Sequence, residues 1–111
     1  MSISWPAAIK CSGDDELLFI KDECAWLTDD LSAYAYSEDD VLVDSNSALF
    51  SLVYDAKIKK AVLTAQQKVV SVDQFEMWLK NHMVILNQCC SSKLRLLSIN
   101  EGLTLLEQFS D

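Results

Sequence analysis

Residues 71–90 read SVDQFEMWLKNHMVILNQCC, and they decide the fold. Val72, Phe75, Leu79, His82, Met83 and Leu86 follow the spacing of one helical face. Ser71 stands where an N-cap is needed, with Gln74 three residues on as in a capping box. Asp73 and Glu76 put negative charge in the first turn, where the helix dipole favours it. No Pro or Gly interrupts the run, so a helix is expected from 71 to about 87. Trp78, Val84 and Ile85 lie outside the main stripe, which makes the apolar arc wider than one buried face needs. They are the candidate interface residues, either under a second helix or against a partner.

Working backwards, residues 5–11 and 16–20 read as two strands joined by the turn residues Ser12, Gly13, Asp14 and Asp15. Residues 22–27 suit a short helical turn, with Ala25, Trp26 and Leu27 covering one end of the core. Residues 28–40 are polar and acidic and read as a loop pinned by Leu31, Tyr34 and Tyr36. Further strands are expected at 41–44 and 48–54, with Asn46 taking the positive φ between them. Residues 58–64 and 68–71 read as two more strands, split at Ala65, Gln66 and Gln67.

Working forwards, residues 93–97, KLRLL, read as a last strand joined by a crossover. Ser98 and Glu101 form a second capping box, opening a helix that buries Ile99, Leu103, Leu106 and Phe109. Gly102 within it costs about 1 kcal/mol against Ala and marks a close helix contact. The expected fold is α+β: one domain over residues 1–111, a mostly antiparallel sheet, and two C-terminal-half helices packed on one face.

WPAAIK at 5–10, GDDELLFI at 13–20, DVLVDSN at 40–46, and Cys89-Cys90 followed by SKL at 92–94 together resemble a small family of uncharacterised bacterial proteins of similar length. The resemblance spans nearly the whole chain. It implies a compact α+β domain of the bacterial cytosol and brings no activity and no catalytic residue.

Composition narrows the function. Half of the 111 residues are hydrophobic, enough for a core without staples. The formal charge is −8. Residues 1–55 carry 12 acidic and 2 basic side chains, and residues 56–111 carry 5 and 7. An acidic front half argues against nucleic acid and anionic lipid as partners. No segment has the apolar length of a membrane span, and the N-terminus lacks the basic and apolar regions of a signal peptide. A cytoplasmic protein with four reduced thiols is the expectation.

Candidate chemistry is sparse. Cys89 and Cys90 could close a vicinal disulfide or bind soft metal, but they read better as small buried thiols at a helix C-terminus, whose dipole does not lower a thiol pKa. His82 lies two turns before Cys89, about 10 Å along the axis, too far to share a zinc. Residues 29–40 lack the EF-hand ligand pattern. No nucleophile elbow, phosphate loop or zinc-hydrolase motif occurs, so neither catalytic residue nor cofactor nor metal is expected. The leading reading is a non-enzymatic protein-interaction domain, with a homodimer or another protein as partner. Its rivals are an acidic inhibitor of immunity type that caps a basic protein, and a small-molecule or redox module around Cys89 and Cys90.

Overall fold

The structure is a computed structural model that describes residues 3–28, 36–86 and 94–108. Among the described residues eight elements occur in chain order: β1 (Ala7–Lys10), β2 (Leu17–Ile20), α1 (Glu23–Thr28), β3 (Val41–Asp44), β4 (Ala48–Asp55), β5 (Lys60–Val69), α2 (Val72–Ile85) and α3 (Ile99–Gln108). The strands form one antiparallel sheet in the order β2-β1-β3-β4-β5. The fold is α+β, as the order of periodicities predicts.

Alternation along the strands feeds two cores. On one face Ala8, Leu17 and Val43 meet Phe75, Leu79 and Met83 of α2 and Ile99, Leu103 and Leu106 of α3. On the other, Ala7, Ile9, Ile20, Leu42, Phe50 and Leu52 pack under Trp26 of α1 and Tyr36. α2 therefore packs on both the sheet and α3, which itself reaches β2, and this accounts for much of its wide apolar arc. Both helix starts are capped as the sequence predicts. The Gln74 N–H donates to Ser71 Oγ at 3.1 Å, and the Glu101 N–H to Ser98 Oγ at 3.1 Å.

Three expectations need correction. The first is the strand over 93–97: among the described residues, 94–97 form no strand. Their donors go elsewhere, since the Leu96 N–H donates to Glu76 Oε1 at 2.7 Å and the Leu97 N–H to Glu101 Oε1 at 3.3 Å. The segment is a strap that pushes Leu96 into the core beside α2 while leaving Leu97 exposed. The Leu96 N–H holds the Glu76 carboxyl below its usual pKa range, against the upward push of burial, with help from Lys80 at 3.5 Å.

The second is the split at residues 65–67, which is an irregularity within one long strand. Phe50 pairs with Ala65 but Ala48 with Val69, and Gln67 takes φ 59°. The third is the turn after β3, where Ser47 and not Asn46 has positive φ, at 71°. Buried Asp44 dictates this geometry, its Oδ1 accepting from the N–H groups of Asn46 and Ala48, both at 2.9 Å. Leu31, Tyr34, Lys93 and Phe109 lie outside the described residues.

Gly102 sits where α3 presses on α2. A Cβ there would fall 2.5 Å from the Phe75 ring and 2.9 Å from Leu96 Cδ1. Gly102→Ala is expected to lower stability by about 1–3 kcal/mol, although Ala is the better helix former. Urea denaturation checks this, and an unchanged or raised midpoint would contradict the packing.

His82 is buried, at 3% exposure, and its Nδ1 accepts the Leu17 N–H at 3.0 Å. The proton of the neutral ring is thus on Nε2, which has no hydrogen-bond partner among the described residues. Burial pushes the His82 pKa below its usual value, opposed by nearby Glu16. The unfolded chain therefore binds a proton near pH ~6.5 that the folded chain resists. The contribution is full above that value and is lost as pH falls towards the depressed folded pKa. The denaturation midpoint should drop between about pH 7 and pH 5, and His82→Gln should flatten that drop. Equal slopes in both proteins would contradict it.

Candidate interaction surface

Local chemistry in several elements builds one cleft on the α1 side of the sheet. Asp22 caps α1, its Oδ1 accepting the Ala25 N–H at 2.8 Å, and this seats Trp26 on the core. The chain before β1 is laced to the turn after β3. Asp44 Oδ2 accepts the Ser4 N–H at 3.1 Å, and Ser4 O accepts from the N–H and the hydroxyl of Ser45 at 2.9 and 2.7 Å. These bonds hold Ile3 and Trp5 against the same face. The β4–β5 hairpin closes the far side, its turn tied by Asp55, which accepts the Lys57 N–H on Oδ1 at 2.9 Å and the Lys59 N–H on its carbonyl at 2.8 Å.

The resulting cleft holds about 490 Å³ and is lined by Ile3, Trp5, Glu23, Trp26, Leu27, Ile58 and residues 60–63. Leu27 is 49% and Ile58 56% exposed at its mouth. On the hairpin Val53 and Val62, paired on the opposite face of the sheet, are exposed as well, and with Tyr54 they border a separate shallow depression. Lys57, Lys59 and Lys60 rim the tip, so this arm is locally basic in an acidic chain. A second, more open groove of about 620 Å³ lies on the α2 side and has a more polar rim, including Lys10, Ser12, Asp39 and Gln74.

The interface residues expected from sequence fall in different settings. Trp78 is half-buried, lines that second groove and meets Phe75 edge to face, with ring centroids 6.3 Å apart. Val84 and Ile85 are exposed, and Met77 joins them one face of α2 further up. Cys89 and Cys90 lie outside the described residues. Of the other thiols, Cys11 and Cys24 are free, and burial, reinforced by Asp40, raises the Cys11 pKa and dulls its nucleophilicity.

The adjacent acids Asp14-Asp15 and Asp39-Asp40 differ in setting. Asp14, Asp15 and Asp39 are exposed, but Asp40 is buried and structural. It accepts the N–H groups of Ser12 and Ser37, both at 2.8 Å. Burial pushes its pKa up, and these two bonds outweigh that and bring it down. Among the described residues no three His, Cys, Asp or Glu side chains gather into a group that could hold a metal. No described helix is long and apolar enough to cross a membrane.

Sequence reasoning missed the cleft because its lining comes from three separate stretches, 3–5, 23–27 and 58–63. Trp5, Trp26 and Ile58 each look like ordinary core or loop residues alone. The only local signal was the lysine cluster at 57–60 beside Ile58 in a chain that is otherwise acidic.

No curated protein matches the chain. A solved structure described as the NMR structure of the protein from Shewanella Amazonensis is similar in fold. Its TM-score is 0.69 at 23% sequence identity, over 99% of this chain and 92% of that one. A family model matches residues 5–106, which take in the whole described sheet, α1, α2 and all but the last two residues of α3. The chain belongs to that family, DUF4144, described as a protein structure with unknown function.

Proposed function

We propose that the chain is a non-enzymatic contact domain of the bacterial cytoplasm, and that it works by docking a protein at the cleft and hairpin. The observation that supports this is the apolar cleft floored by Trp5 and Trp26, with Leu27 and Ile58 exposed beside it. Isolated surface apolar residues are ordinary, whereas a contiguous set around a concave, aromatic-floored cleft is the usual mark of a binding surface. The negative charge of the remaining surface keeps the free chain soluble and disfavours nucleic acid.

A second copy of the chain is a partner of the same class, favoured by the exposed stripe of Met77, Val84 and Ile85 on α2. Two copies meeting there would use equivalent surfaces about a two-fold axis.

A photo-crosslinking residue placed at position 58, in cells that make the protein, should yield a discrete adduct, and one at Lys80 should not. One placed at position 84 reports the α2 stripe, where an adduct of twice the chain mass means a dimer. Absence of any adduct from both 58 and 84 would contradict a contact function.

A further inference from the structure

The two edges of the sheet differ. β2 forms one edge, and the three described helices pack on it. Its outward Leu17 N–H is taken by the His82 ring. β5 forms the other edge, runs ten residues, and among the described elements packs substantially only on β4. The cleft touches four consecutive β5 residues, 60–63. Ala61 and Leu63 belong to the core under Trp26, whereas Lys60 and Val62 point to the other face, so the cleft reaches the backbone of β5 as well as one row of its side chains. Among the described residues no strand lies beyond β5, so the N–H and C=O groups on its outer side are left unpaired by the sheet.

We propose that this cleft takes an extended peptide segment of a partner protein, added to β5 as a sixth strand between the edge and α1. This rests on the contact reading above and specifies its mode. Main-chain hydrogen bonds to residues 60–63 supply affinity, and alternate apolar side chains of the segment drop onto Trp5, Trp26 and Leu27. Lys57, Lys59 and Lys60 border the tip end of the edge, so the segment is acidic at the end that lies there. The further half of β5 is unsuited to the same pairing, because the irregularity at Gln66 and Gln67 and exposed Lys68 break up and charge the edge.

A second copy fits this edge poorly. Two β5 strands paired over 60–63 would crowd the tip lysines of both chains around the two-fold axis. The free edge therefore suits a segment from a different protein, with acidic charge where this one is basic.

Selection of random linear peptides on the full chain tests this. The expected winners alternate apolar and polar residues and carry Asp or Glu towards one end. Their binding should fall about tenfold or more in Leu27→Asp and in Ile58→Asp, both exposed positions, and hold in Val84→Asp. Lys59→Glu combined with Lys60→Glu should move selection to basic-ended peptides. Methylating backbone nitrogens of alternate peptide residues should abolish binding in one register and be tolerated in the other, as strand addition requires. Several results would overturn the proposal: no enrichment above the Leu27→Asp protein, winners that bind as helices, loss in both methylation registers, or indifference to the lysine reversal. Adducts from position 58 in the cell together with such a failure would keep the contact function and discard strand addition. A position-58 adduct of twice the chain mass would make the occupant a second copy and overturn the partner stated here.

Discussion

The close approach of α3 to α2 at Gly102 sets the asymmetry of the molecule. Without a side chain there, the Phe75 ring and Leu96 fill the space between the helices. The pair then acts as one slab, and that slab sits on β2. Phe75, Leu79, Leu103 and Leu106 are all buried in this layer. At about 25 cal/mol per Å² of apolar area removed from water, such side chains dominate the stability of a domain this size. α1 packs on β2 as well, from the opposite face. Helix cover is thus concentrated at one end of a five-stranded sheet.

Among the described residues this concentration leaves β4 and β5 with little helix cover beyond Trp26. Neither strand of the β4–β5 hairpin has substantial contact with a described helix, in a molecule of 45 × 26 × 25 Å. Apolar side chains that helices would otherwise cover remain in solvent there. The chain tolerates an uncovered edge through the ordinary devices of such edges, lysines and a strand irregularity, but these fall at the tip and in the second half of β5. Residues 60–63 are left regular and backed by an aromatic-floored cleft. The buried polar groups contribute to this arrangement. Asp44 holds Ser4, and through it Trp5, in place, and His82 satisfies the edge of β2.

Much of the fold was legible because it is local. The capped starts at Ser71 and Ser98, the apolar stripes of α2 and α3, and the strand at Val41–Asp44 are set by neighbours a few residues away. Gly102 was legible as a close contact for the same reason. The strap at 94–97 was not, because its fate depends on Glu76, far back on α2. Its alternating leucines suit a strand equally well, and only the accepting carboxylate decides. The interaction surface was least legible. Trp78, Val84 and Ile85 were visible as surplus on a helical wheel, yet Trp78 spends part of its area on Phe75. Residues of the cleft share no periodicity, so nothing short of the assembled sheet brings them together.

Amide hydrogen exchange on the free, monomeric chain tests the central claim that one sheet edge is sealed and the other open. Amides of β1 and β3, and the Leu17 amide held by His82, should exchange only as slowly as global unfolding allows. Every second amide across residues 60–63, those turned away from β4, should exchange orders of magnitude faster than its neighbours in the β4–β5 ladder. Uniform protection of both sets in the free chain would mean that the β5 edge is already covered, and would contradict the account.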